Sequence, residues 1–290
     1  MRFTKRITFV IAGILCAALF LAMTMTASAT PTSSEAARKA ATDTDPHLPL
    51  TPNQQKVLAQ KNQAVANTLS ETATAATAGA GSNATASTAT SSSAMGVAAA
   101  AMTTDSLSAD QNPQKTSYWC GPASVNEALG QMGKWFTQAQ LAQELGTTTA
   151  GTAWSGGPTT TGFPVPDVMN AHQTRNYYIP TAVSYSPSSA EVSYYKANLV
   201  YNISTVRAPL IGDAYEMAGS VYHLAGHPDD HTIYHWFDIR GYANGGASTM
   251  YEDSVHGADD VIGWAWRVPA YSTMPSSSIV TIVGGRGYVW

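Results

Sequence analysis

The placement of aromatic residues limits this chain more than any other feature. Between Phe20 and Tyr118 there is no Phe, Tyr or Trp, whereas all seven tryptophans and all fourteen tyrosines follow position 117. Aromatic side chains carry the largest apolar areas available to a core, so a folded unit has to be built from the C-terminal part. From Thr72 to Ala101 only Asn83, Met95 and Val97 depart from Ala, Thr, Ser and Gly. Such a stretch has too little apolar area to offset its conformational entropy and reads as a flexible linker. Ahead of it, Gln54 to Ser70 has helix-forming composition with Leu58, Val65 and Leu69 roughly on one face, either as a pro-segment helix or as a transient one. The expected division is a signal peptide over 1–29, a low-complexity leader or linker over 30–105, and a folded domain over 106–290.

The first residues carry the pattern of an export signal. Arg2, Lys5 and Arg6 form a positive start, Ile7 to Leu21 an apolar core, and Ala27-Ser28-Ala29 a small-residue cleavage site. An uncleaved membrane anchor is the rival, since the apolar run reaches about Met25. Export with cleavage implies a secreted or extracellular protein, without a membrane and with the cell wall as a candidate neighbour. It also leaves Cys120 as the one cysteine of the mature chain, so no internal disulfide forms. A lone thiol in an oxidising compartment is either buried and inert or kept for its reactivity. The net charge of -4, with charged residues at 12%, offers no basic surface for nucleic acid and no polybasic membrane patch.

Within the domain, helical periodicity comes first. Val125, Ala128, Leu129 and Met132 recur at helical spacing, Gln138 to Leu145 reads as a second helix, and Pro164 to His172 as a third. A loop rich in Tyr, Ser and Pro follows. Strands are expected over Tyr234–Tyr242, Thr249–Ser254, Gly263–Pro269 and Ser278–Val283, with turns at N-G-G and V-H-G. Helices followed by a mostly antiparallel sheet make an α+β domain.

The stretch Q-K-T-S-Y-W-C-G-P-A-S, Gln114 to Ser124, sets Cys120 at a helix start. Pro122 suits a first helical turn, and Gly121 lets backbone approach the sulfur. At such a position the helix dipole and free N–H groups favour a thiolate. A buried, inert cysteine is the competing reading. A thiolate nucleophile needs a base and a group to orient that base. His235 opens the apolar strand H-W-F-D-I-R-G-Y, and Asp253 ends the neighbouring strand in Y-E-D-S. Adjacent antiparallel strands can set these two side by side, though either alone could be a satisfied half-buried histidine or a turn residue.

Together, Q-x5-C-G-P-A-S, H-W-F-D-I-R-G-Y and Y-E-D-S resemble the papain-like cysteine peptidases of the bacteriocin-processing (double-glycine leader) type, in particular their free-standing secreted bacterial relatives. The resemblance spans about residues 110–290 and includes the ending G-R-G-Y-V-W. It implies a papain-like fold, with N-terminal helices on an antiparallel sheet. It further implies Cys120 as nucleophile, His235 as general base and acid, Asp253 as the orienting carboxylate and Gln114 as the side-chain donor of the oxyanion hole. Relatives usually carry Pro after the aspartate where Ser254 stands here, so Asp238 is the alternative third member. The β-strand that normally precedes the glutamine is hard to find in S-A-D-Q-N-P.

The implied activity is hydrolysis of peptide bonds in a peptide or protein substrate through a covalent acyl-enzyme, with no metal or organic cofactor. Cell-wall peptide amidase or acyltransferase chemistry on the same fold, and a non-catalytic peptide-binding module, are the alternatives. His223, His227, His231 and His235 recur every four residues, which on one helix would make a metal-binding face; Gly226 and Pro228 make that helix implausible. G-H-P-D-D-H is similar to the zinc motif of N-acetylglucosamine deacetylases, but no βαβ pattern surrounds it, and a loop over the cleft is expected instead.

Overall fold

The computed structural model describes residues 33–80 and 103–290. The expected signal peptide lies outside these residues, as do 30–32 and 81–102 of the expected leader or linker. Two helices precede the domain, α1 (Ser33–Thr42) and α2 (Pro52–Ala80). In the domain the order is β1 (Asp105–Ser106), α3 (Cys120–Gln131), α4 (Gln138–Glu144), α5 (Pro164–His172), β2 (Pro180–Ala182), α6 (Ser189–Val200), β3 (Leu210–Glu216), β4 (Ile233–Ala243), β5 (Ser248–Glu252), β6 (Tyr271–Pro275), α7 (Ser276–Ile282) and β7 (Gly287–Val289). The strands pair antiparallel in the order β2-β7-β3-β4-β5-β6, with β1 beside β4. The architecture is α+β, as expected.

The sheet is covered on both faces, and the period-two alternation of its strands sorts the two cores. Leu210 and Ala214 of β3, Phe237 and Ile239 of β4 and Tyr288 of β7 pack with Tyr195 and Leu199 of α6 and Ile279 of α7. Their neighbours Ile211, Trp236 and Val289 pack on the other face, with Val125, Ala128 and Leu129 of α3, Leu141 of α4 and Val168 of α5. The helical stripe read at Val125, Ala128, Leu129 and Met132 is therefore the face that grips the sheet. Every residue of β3 is buried, which removes the alternation by which a strand is recognised.

Several expectations need correction. Ser278–Val283 is not a strand: Ser276–Ile282 is helix α7, whose buried residues pack against α6. A short apolar run has the same composition in a buried helix turn as in a strand, and periodicity cannot separate them. Gly263–Pro269 is a run of turns with a single 3-10 turn at Ala265–Arg267, packed as a small cluster with Val255 and Ala258. Helix α6 was missed although Ser188-Ser189-Ala190-Glu191 carries its signal: Ser188 Oγ accepts from the Glu191 N–H at 3.2 Å and Glu191 accepts from the Ser188 N–H at 2.8 Å. The strand missing ahead of Gln114 is β1, only two residues long, continued by a Leu107 N–H to Arg240 carbonyl bond at 2.8 Å.

The leader is the largest departure. Helix α2 runs on to Ala80, into the Ala/Thr-rich stretch read as linker, and its Val57, Leu58 and Val65 join the core formed by α6 and α7. Lys61 Nζ lies 4.3 Å from the ring centroid of Trp290 and donates to Asn176 Oδ1 at 2.9 Å. Lys39 of α1 donates to the Thr281 carbonyl at 3.0 Å. Burial pushes Lys39 down to about 8 and Lys61 to about 7. Among the described residues no helix is long and apolar enough to cross a membrane.

Candidate active site

Helix α3 begins at Cys120, with Trp119 as its N-cap and Pro122 in the first turn. Pro has no N–H to lose where first-turn N–H groups lack intrahelical partners. Cys120 is unpaired and 8% exposed. Gly121 is needed for packing: a Cβ there would come 2.3 Å from Thr152 Oγ1, a residue that shares the wall of the cleft with the thiol. That cleft holds about 390 Å³.

His235 lies near the start of β4, opposite Ala214 of β3. Its imidazole lies close enough to the Cys120 side chain for that group to help hold it protonated. Its Nε2 faces Asp253 Oδ1 at 3.0 Å. Asp253 follows β5 directly, as the antiparallel pairing of β4 and β5 allows. Burial opposes the charge on His235, but the negative charge and hydrogen bond of Asp253 outweigh it and hold the imidazolium well above its usual range. Burial would likewise raise Asp253; His235 and His227 instead hold its carboxyl well below the usual carboxylate range.

Asp238, the alternative third member, lies elsewhere. It is paired with Glu252 in the sheet, and Gln131 Nε2 of α3 donates to its Oδ2 at 2.6 Å. Burial, followed by the charge of Glu252, pushes its carboxyl well up. Gln114 is buried beside the site. Its backbone N–H donates to the Ser254 carbonyl at 2.8 Å, and its side-chain Nε2 donates to the Thr116 carbonyl at 2.7 Å. Ser254, where a proline was expected, donates its hydroxyl to Gln114 Oε1 at 3.2 Å. The departure at Ser254 thus orients the amide rather than disturbing Asp253.

Two residues of the site escaped the sequence reading as functional groups. His227 Nε2 faces Asp253 Oδ2 at 3.0 Å, and its Nδ1 faces Glu216 Oε2 at 2.9 Å. Asp253 therefore holds two imidazoles, one on each oxygen, and Glu216 holds the far side of the second. Burial alone would lower His227, but the charges of Glu216 and Asp253 carry it up to about 9; Glu216 is itself brought down to about 2, His227 leading the charges that overcome its burial. Gly226 makes this position reachable: its φ is +83° and a Cβ would meet the Arg267 carbonyl oxygen at 2.3 Å. Trp264 stacks edge-on against His227 at 4.8 Å. The signal in the sequence was the four-residue histidine spacing, which works here through a loop and not a helix. His223 also reaches Glu216, at 3.1 Å, whereas His231 is an exposed partner of Asp230. As potential metal ligands, His227, His235 and Asp253 offer donor atoms within 4.8 Å of one another. The same Nε2 atoms face the two oxygens of Asp253, so the set is equally a carboxylate gripping two imidazoles.

A family model described as "Peptidase_C39 like family" matches residues 106–262. The chain belongs to the peptidase C39-like family. Membership supports a function of the cysteine-peptidase kind, and the matched span contains Gln114, Cys120, His235 and Asp253. Solved structures similar to this chain include the peptidase domain of Streptococcus ComA, described as a bi-functional ABC transporter involved in a quorum sensing pathway. It is 14% identical, with a TM-score of 0.38, over 63% of this chain and 97% of its own. A Bacillus anthracis protein described as a C39-like peptidase is 12% identical, with a TM-score of 0.38, over 64% of this chain and 96% of its own. No curated protein matches the chain. In this C39-like chain the matched span stops before α7 and β7, so Arg286 and the C-terminal strand lie beyond it.

Proposed function

We propose that the chain is a secreted cysteine peptidase that hydrolyses peptide bonds through Cys120, His235 and Asp253. One observation carries the reading: a thiol at a helix N-terminus lies beside an imidazole that is held by a buried, ionised carboxylate. Cys120 Sγ attacks the substrate carbonyl as its proton rests on His235. The oxyanion is received by the Cys120 backbone N–H, a first-turn donor without an intrahelical acceptor, and by the second N–H of the Gln114 amide. The C–N bond then breaks as His235 protonates the leaving amine, which leaves an acyl thioester on Cys120. His235 next takes a proton from water, which attacks the thioester and restores the thiol. Export rests on the Arg2, Lys5 and Arg6 start, the apolar run and Ala27-Ser28-Ala29.

Digestion of a peptide library and of peptidoglycan side by side tests the reading. Hydrolysis of peptides that is lost in Cys120→Ala and in His235→Ala supports it. Cleavage confined to peptidoglycan cross-links would replace it with cell-wall amidase chemistry. Alkylation provides a readout independent of turnover: iodoacetamide should modify Cys120 faster in the wild type than in His235→Ala at pH ~6.5, near the ordinary imidazole value. Equal rates, with no hydrolysis, would leave a peptide-binding module.

A further inference from the structure

The cleft beside Cys120 also holds a charge that the acyl-transfer chemistry does not use. Arg286 lies just before β7, and its side chain is only 6% exposed. A buried guanidinium is costly unless it is paired and hydrogen-bonded. Within the domain its acidic neighbour is Asp213, which stands opposite Trp236 in the sheet and lines the cleft with Cys120. That contact is 3.8 Å, beyond hydrogen-bonding distance, and both Asp213 Oδ2 and Arg286 Nε are buried without a hydrogen-bond partner. Burial, only partly offset by Arg286 and reinforced by the charges of Asp45 and Asp43, pushes Asp213 up to about 8, so with the leader in place this carboxyl neutralises the guanidinium poorly near neutral pH.

The N-terminal segment supplies the missing anions. Asp43 Oδ1 lies 3.0 Å from Arg286 Nη2. Asp45 Oδ2 accepts from Arg286 Nη1 and also from the Trp154 backbone N–H at 2.9 Å. The guanidinium sits 4.8 Å from the ring centroid of Tyr234. On either side of Asp45 the leader is held by its main chain: Tyr234 donates to the Thr42 carbonyl at 3.2 Å, and Ser155 Oγ donates to the Pro46 carbonyl. Thr44 and Asp45 share the lining of the cleft with Cys120. The leader is therefore gripped by its main-chain carbonyls at Thr42 and Pro46, and both carboxylates between them, Asp43 and Asp45, reach Arg286.

We propose that Arg286, the Trp154 N–H and the ring of Tyr234 form a subsite for the carboxylate side chain of a peptide bound beside Cys120, and that Asp45 occupies it in the intact chain. The substrate class is then a peptide with Asp or Glu close to the attacked bond, and this rests on the peptidase reading above. One carboxylate oxygen taken by both a guanidinium and a backbone N–H discriminates against an amide, which lacks the charge, and against a cation, which Arg286 repels. The leader acts as a competing occupant that has to leave before a substrate carboxylate enters.

The test uses the full chain, wild type and Asp45→Asn, with two labelled peptides: Thr-Asp-Thr-Asp-Pro-His-Leu, the leader's own sequence from Thr42 to Leu48, and its counterpart with Asn for the second Asp. Binding is read by fluorescence anisotropy and cleavage by mass spectrometry. The Asp peptide should bind Asp45→Asn at least tenfold more tightly than the Asn peptide. It should bind wild type at least fivefold more weakly than it binds Asp45→Asn, because Asp45 competes. Arg286→Gln, with its fold checked by circular dichroism, should erase the preference. If that variant does not fold, the two peptides on Asp45→Asn still decide. Equal binding of the two peptides to Asp45→Asn overturns the subsite, and equal binding of the Asp peptide to wild type and Asp45→Asn overturns occupancy by Asp45. Preferential binding without cleavage of any peptide sinks the peptidase reading and leaves the subsite standing. Cleavage without preference does the reverse.

Discussion

At the scale of single residues, the site is a chain of opposite charges: Glu216, His227, Asp253 and His235, ending on the Cys120 thiol. Asp253→Asn should lower kcat/KM by on the order of 10³–10⁴, because an amide neither selects the tautomer nor stabilises the imidazolium. Asp238→Asn should leave kcat within a few-fold, since Asp238 serves Gln131 and Glu252 rather than His235. Steady-state kinetics of the two variants separate the candidates for the third member. His227 titrates at 6.5 ordinarily and at about 9 here. Its folded value is raised, so its stabilisation is complete below pH 6.5 and is lost as pH rises through 9. A shift of this size corresponds to on the order of 3 kcal/mol. His227→Gln should flatten the fall in melting temperature between those limits, measured by calorimetry across pH.

At the scale of elements, α3, β4 and β5 meet around buried acids that the proposed chemistry does not use. Glu127 of α3, Asp238 of β4 and Glu252 of β5 are all pushed up, by burial first and then, for Glu127 and Asp238, by neighbouring carboxylates. Glu252 reaches about 7 from its ordinary 4.5. Here the native state binds more protons than the unfolded one, so stability falls as pH rises from 4.5 through 7. Glu127 accepts from the Asn112 N–H through Oε1, and its Oε2 has no partner. Glu127→Gln should therefore raise the melting temperature at pH ~8 and change it little at pH ~4.5, a difference that disappears if the carboxyl is ionised at low cost. The capping box of α6 offers an independent check: Ser188→Ala should cost about 1 kcal/mol in denaturant unfolding.

At the scale of the whole molecule, the leader is part of the fold. Leu58 and Val65 of α2 pack on the core of α6 and α7, and Lys39 and Lys61 pin α1 and α2 to Thr281 and Asn176. Burying a side chain such as Leu or Val contributes about 1.5–3 kcal/mol. Leu58→Asp with Val65→Asp should thus release α2 to proteolysis at least tenfold faster while the domain from 106 onward stays protected. Pulse proteolysis mapped by mass spectrometry reads both parts. The lysines add a pH dependence of known sign. Their folded values, about 8 and about 7, lie below the ordinary 10.5, so docking strengthens as pH rises from about 7 toward 10.5. At equal protease activity, cleavage within α2 should slow between pH ~7 and ~9.

What the sequence determined by itself was local or carried by a motif. Pro122 and the apolar spacing from Val125 to Met132 place Cys120 at a helix start, and the strand that bears His235 and the strand that leads into Asp253 read from alternation and turn residues. Even there, Ser278–Val283 misled, because a short buried run has no period that tells helix from strand. Only the tertiary structure decided what depends on distant segments meeting. His227 joins Asp253 because Gly226 turns a loop back under Trp264, and nothing in the spacing of four histidines states which carboxylate each will face. Asp45 reaches Arg286 across 241 residues of chain. A leader with few apolar side chains cannot build a core of its own, but it can complete one that already exists and neutralise a buried charge that the domain leaves half satisfied.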